Sequence, residues 1–236
     1  MILYSENGKK IDFDITNANL VKNGDRGFGS CVYHYGSNCL KIFRILRDCD
    51  DEVIEAIRNI DCANLYKILH LYYSSILRSN ENFVAYSSLY YEDFDINILK
   101  MPMDYLLDNF SDLRKLAIIL ANAGVEINDL HSENIIMQKN RIIIIDSDKY
   151  ILHHNLNDDL LNYIKWNNIF SIRLLMGDIL CDTMSNDLNF NKCNDTSIMK
   201  ELDVFFDNYN YSIDDIFHEL SCYKDPIDYV RKKHNY

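Results

Sequence analysis

The sequence predicts an α+β chain of two lobes with a cleft between them, and three observations carry that prediction. Short apolar runs separated by turn residues fill roughly residues 1–101, which read as a small antiparallel sheet with one main helix. Residues 102–236 carry helical periodicity almost throughout. The change falls near Met101 to Asp104, so sheet-rich and helix-rich parts meet there and leave a cleft.

The elements follow in order. Ile2 to Ser5 and Lys10 to Ile15 flank Glu6-Asn7-Gly8-Lys9 and predict a hairpin. Asn19 to Asn23 is a short strand leading into Gly24-Asp25-Arg26-Gly27-Phe28-Gly29. Cys31 to Tyr35 and Cys39 to Arg44 are strands joined by Gly36-Ser37-Asn38. Asp50-Asp51-Glu52 opens a helix with Val53, Ile57 and Ile60 on one face, since acids favour a first turn. A second helical stretch covers about 63–77, and Phe83 to Tyr90 and Ile96 to Met101 are strand-like. Helices are expected at about 104–109, 111–123, 158–167, 169–183, 199–207 and 212–222.

Bulk properties narrow the function. A chain of 236 residues with 48% apolar content can bury roughly three quarters of its unfolded surface. No apolar run reaches the length of about 18 residues that a membrane helix needs. The first residues lack the basic and apolar regions of a signal peptide. A net charge of −12 argues against nucleic-acid and anionic-membrane partners, both of which call for a basic surface. The seven cysteines form no CxxC and no metal-like spacing with histidine, so they read as reduced thiols of a cytoplasmic protein. His153-His154 reads as an exposed loop pair.

The chemistry concentrates in Asp129-Leu130-His131-Ser132-Glu133-Asn134 and in Asp146, which follows the apolar run Ile142-Ile143-Ile144-Ile145. Asp129 can take a proton from a hydroxyl, while Asn134 and Asp146 supply hard oxygens for Mg²⁺. Upstream, glycines between two strands let backbone N–H groups approach phosphates. Lys41 follows between apolar neighbours in a strand. Asp148 either supports the metal shell or caps a turn, and the turn is the simpler reading.

Taken together, these segments resemble the protein-kinase-like superfamily. The glycine loop, the strand lysine, the acidic helix and Cys62-Ala63-Asn64-Leu65-Tyr66 arrive in the order of its N-lobe. Ala123 to Ile136 resembles its catalytic loop, Asp146 its metal-binding acid, and Asn168-Ile169-Phe170-Ser171 the start of its central helix. The resemblance implies a two-lobed kinase-like fold using ATP and Mg²⁺, with Mn²⁺ as a substitute. It implies Asp129 as catalytic base, with Lys41, Asn134 and Asp146 completing the catalytic set, and Asn134 and Asp146 on the metal. Gly24, Gly27, Phe28, Gly29, Lys41, Met101 and Met103 would line the nucleotide, and Glu55 (alternatively Glu52) would hold Lys41.

Departures from the family pattern are specific. Arg26 stands at the middle glycine, and Ile127-Asn128 replace the His-Arg before the catalytic acid, which predicts no activation-loop phosphorylation switch. Asn168 replaces an acid, and it keeps the ability to accept hydrogen bonds from the loop backbone. His131 replaces lysine, as in aminoglycoside- and choline-kinase-like enzymes. The stretch from Asp146 to Asn168 is short, and no Ala-Pro-Glu occurs. The expected function is a minimal serine/threonine protein kinase acting on a protein substrate. A kinase for a small hydroxyl-bearing molecule and a nucleotide-binding pseudokinase are the alternatives.

Overall fold

Alternation of side chains along short strands, with tight turns between them, produces the sheet. The computed structural model describes residues 1–5, 7–21, 30–43, 51–60, 75–79, 82–91, 101–138, 141–187, 206 and 211–234. Among these, β1 (Ile2–Ser5), β2 (Lys10–Asp12), β3 (Asn19–Leu20), β4 (Ser30–Tyr35), β5 (Asn38–Phe43), β6 (Ser75–Ser79) and β7 (Asn82–Leu89) form one antiparallel sheet. Its strand order is β2-β1-β6-β7-β5-β4-β3. Gly36, at φ 62°, makes the tight connection between β4 and β5, where a left-handed residue suits the twist of a hairpin.

Both faces of the sheet are covered. Leu3, Phe13, Tyr33, Leu40, Ile42, Leu77 and Ala85 form a cluster on one face. Phe43, Ile76 and Tyr86 join a larger cluster on the other, together with Val53, Ile54 and Ile57 of α1 (Asp51–Asn59) and the helical half. Period-2 alternation along β5 therefore turns Lys41 and Phe43 toward the helical half, while Leu40 and Ile42 face away.

The helical half is built on α2 (Met103–Asn122) and α3 (Asp158–Asp187), which pack together, with α4 (Ile213–Leu220) and α5 (Pro226–His234) beside them. Two small strand pairs lie between the long helices: β8 (Val125–Glu126) with β11 (Ile151–Leu152), and β9 (Ile135–Gln138) with β10 (Arg141–Ile144). Ser212 caps α4 through a reciprocal capping box with Asp215.

Several expected boundaries move. Ser75 to Leu77 belong to β6 and not to a helix, because Ile76 and Leu77 pair with Tyr86 and Ala85. The expected breaks at residues 109–111 and 167–169 are absent: Phe110 and Asn168 are buried inside continuous helices. Helix α5 was not foreseen. The strand expected at 96–101 and the helix at 199–207 lie, apart from Met101 and Phe206, outside the described residues, as does the Asn64 segment. Cys39 and Cys222 are free thiols, and burial pushes that of Cys39 up to about 11. No helix among the described residues is long and apolar enough to cross a membrane.

Candidate active site

Lys41 is the pivot of the site. It is 7% exposed, and a buried ammonium requires counter-ions. Two meet it from the segment after β10: Asp146, and Asp148 with Oδ1 at 2.6 Å. Both pairs cross from the sheet to the helical half. The rings of Phe43 and Tyr86 lie 5.5 and 5.9 Å from the ammonium. Burial works to lower the Lys41 pKa, but the charges of Asp148 and Asp146 outweigh it and raise the value.

The two acids differ in access. The Asp146 side chain is 39% exposed, whereas that of Asp148 is fully enclosed. Burial, then the adjoining Asp146 carboxyl, pushes Asp148 up, against the opposing charge of Lys41. Burial also works to raise Asp146, but the adjoining Asp148 carboxyl and the charge of Lys41 prevail and hold it below the usual carboxylate value. Tyr86 Oη donates to Asp148 Oδ1 at 3.4 Å. Ser147 Oγ, Asp148 Oδ2 and Tyr150 Oη are buried without a hydrogen-bond partner among the described residues.

Asp129 sits at the mouth of the loop between β8 and β9, its carboxylate half exposed. Asn134 Nδ2 donates to the Asp129 carbonyl at 2.7 Å and lies 3.0 Å from His131 Nε2. His131 Nε2 is also 3.6 Å from Asp129 Oδ1. With its nitrogen so committed, the Asn134 amide oxygen accepts no hydrogen bond among the described residues. Ile145 N–H donates to the Asn134 carbonyl at 2.9 Å, so Asn134 and Asp146 share one end of the β9–β10 hairpin. Asp129 and Asp146 hold left-handed backbone angles, φ 60° and 63°. Such conformations cost about 1–3 kcal/mol for non-glycine residues and cluster at functional sites.

The loop is anchored from below by Asn168 at the heart of α3. Its Oδ1 accepts the Ile127 N–H at 2.7 Å, and its Nδ2 donates to the Ala117 and Val125 carbonyls, each at 3.0 Å. Accepting from the loop backbone is what the asparagine was expected to do; the two donated bonds are more than a carboxylate offers. Asn128 Nδ2 reaches the Lys149 carbonyl at 3.2 Å, and Leu130 is buried as an anchor.

A second network escaped the sequence reading. His153 is not an exposed loop residue: its Nε2 lies 2.5 Å from Glu126 Oε2, and its backbone N–H donates to the Gly124 carbonyl. Asn167 Nδ2 donates to Glu126 Oε1 at 2.8 Å. The signal lay in the β8–β11 pairing, which joins residues too distant in sequence for local periodicity to reveal. Asp148 likewise is no surface turn cap, because its carboxylate lies beneath Lys41.

Glu55 requires correction. The inward face of α1 is taken by Val53, Ile54 and Ile57, which leaves Glu52 and Glu55 on the exposed face. Glu55 meets Arg78 at 3.7 Å and Glu52 meets His154 at 3.4 Å, while the carboxylates on Lys41 are those of Asp146 and Asp148. Met101 and Met103 are buried in the main core, and the Met103 N–H is spent on the Lys224 carbonyl. Gly24, Arg26, Gly27, Phe28 and Gly29 lie outside the described residues.

The described residues hold no group of three or more His, Cys, Asp or Glu suited to a metal ion. The donors at the hairpin end, the accessible Asp146 carboxylate and the Asn134 amide oxygen, are of the hard-oxygen kind that Mg²⁺ takes, and these two residues would hold it.

No family model matches the chain, and no curated protein matches it. Among solved structures it is similar to the Legionella pneumophila Lpg2603 kinase bound to IP6, at 17% identity and a TM-score of 0.48. That similarity covers 92% of this chain and 84% of the other, and it is too distant to carry a functional argument.

Proposed function

We propose that the chain is an ATP-dependent phosphotransferase that moves the terminal phosphoryl group of ATP to a hydroxyl, with a protein serine or threonine as acceptor. One observation carries this reading. A buried strand lysine meets an accessible acid across the two halves of the chain, and that acid shares a hairpin end with Asn134 of the Asp129 loop.

Each residue has a separate task. Asp129, half exposed beyond a loop anchored by Asn168, orients the acceptor hydroxyl and takes its proton. Lys41 offers its ammonium to the phosphate oxygens. Asn134 and Asp146 hold Mg²⁺, which neutralises charge on those oxygens when bound; Mn²⁺ fits the same donors. Catalysis by this set is positioning and charge stabilisation.

A second acceptor class has its own support. Helix α3 begins at Asp158, so only residues 147–157 separate Asp146 from it. That leaves little chain for docking a peptide and favours a small alcohol.

Intact mass after incubation with Mg-ATP tests the reading, with wild type compared to Asp129→Ala. Phosphoryl additions on the wild type that vanish in the variant are expected. Turnover only with added small alcohols would select the second acceptor class, and adenylyl-sized additions would indicate nucleotidyl transfer. Absence of any ATP turnover would overturn the proposal and leave a pseudokinase.

A further inference from the structure

We infer that Asp148 is the positioning residue that holds Lys41 for phosphoryl transfer, in the place where the sequence led us to expect a glutamate of α1. This inference rests on the phosphotransferase reading of the site.

Burial, distance and exclusion support it. The carboxylate of Asp148 is fully enclosed and lies 2.6 Å from the Lys41 ammonium. It is fixed there from two sides. Tyr86, the cross-strand neighbour of Lys41, donates its hydroxyl to the same oxygen, and the backbone of Ser147 to Lys149 is wound into a tight helical turn. The α1 glutamates point the other way, Glu55 to Arg78 and Glu52 to His154.

The geometry also divides labour between the two acids on Lys41. Asp146 reaches solvent and can exchange the ammonium for a metal ion, whereas Asp148 has no route to solvent and stays on the lysine. A lysine held by Asp146 alone would compete with the metal for its only partner. With Asp148 beneath it, Lys41 keeps a counter-ion when Asp146 turns to the cleft. The arrangement dispenses with an inward swing of α1 to complete the site. A counter-ion two residues beyond the metal acid moves with that segment instead.

A stability double-mutant cycle in the full chain tests the pairing without relying on activity. Asp148→Asn and Lys41→Met should each lower the melting temperature by roughly 6–20 °C, as expected for breaking a buried pair in a chain of this size. The double variant should fall by clearly less than the sum. Lys41→Met with Glu55→Gln should show additive effects. If Asp148→Asn alone fails to fold, recovery of folding in the double variant supports the pairing, and failure to recover overturns it.

The kinetic arm is ATP turnover. Asp148→Asn should lower kcat at least about tenfold with little change in KM for ATP, while Glu55→Gln stays within about twofold of wild type. Additive stability effects, or a loss that follows Glu55 and spares Asp148, would overturn this inference while leaving the phosphotransferase reading intact. Coupling in a wild type that never turns over ATP would reduce the triad to a structural ion pair and remove both claims.

Discussion

Two regions of the site are built on opposite principles. The loop of Asp129 rests on neutral hydrogen bonds, chiefly the three made by the buried amide of Asn168. The segment of Asp146 and Asp148 is held by charge, through a lysine reaching across from the sheet. An amide accepts and donates at once, so it fixes a backbone without any ion to desolvate. A buried ion pair costs desolvation and offers instead an arrangement that rearranges when an anion or cation enters. In the proposed phosphotransferase, the neutral part of the site would lie under the acceptor hydroxyl, and the exchangeable acid, Asp146, under the phosphates.

The sharpest way to break the charged region is Lys41→Ala or Asp146→Ala. Each should reduce phosphoryl transfer on the order of 10³-fold, about 4 kcal/mol of barrier, in an assay of transfer from Mg-ATP. The neutral region should answer differently. Asn168→Asp keeps the acceptor for Ile127 but sets a carboxylate against the Ala117 and Val125 carbonyls. The expected cost is about 3 kcal/mol of stability, read by denaturant unfolding, with turnover lost in proportion to the unfolded fraction.

Gly124 sharpens the same contrast from the loop's entrance. At φ 78°, a Cβ there would lie 2.6 Å from the His153 carbonyl, so Gly124→Ala should cost about 2 kcal/mol by the same measurement.

Much of the site was legible in the sequence only as single residues. Asp129, Asn134 and Asp146 announce themselves by spacing along one loop and one strand end. Lys41 is legible as a cation among apolar neighbours, and strand alternation shows that it faces one side. Its partner is not legible, because Asp148 lies 107 residues away and its burial depends on the packing of the whole segment. The glutamates of α1 misled for the same reason: helical spacing sets them on a face but does not say which face turns inward. Strands at residues 30–43 and 82–89 were readable from alternation and turn glycines. Strand β6 was not, since a short run such as Ser75–Ser79 satisfies a helical and a strand period equally. The continuity of α2 and α3 was hidden by polar residues at their middles. Asn168 in particular reads as a break until its side chain is seen to be satisfied by other elements and so no longer competes with the helix backbone.

The smallest predicted effect lies far from the site and serves as a control. Hydrogen bonds from the Ser212 backbone and hydroxyl hold the Asp215 carboxyl below its usual value of 3.8. A depressed folded-state pKa gives stability that is present above about pH 4 and is lost as the pH falls through the lowered value. Asp215→Asn should flatten that part of the acid-unfolding profile slightly and leave phosphoryl transfer unchanged.

Calorimetric titration of ATP, with and without Mg²⁺, into wild type and Asp146→Ala tests the central claim most directly. Binding that tightens with Mg²⁺ in the wild type, and loses that dependence in the variant while ATP still binds, is the predicted result. No ATP binding by the wild type, or a Mg²⁺ dependence untouched by Asp146→Ala, would contradict the assignment of this site.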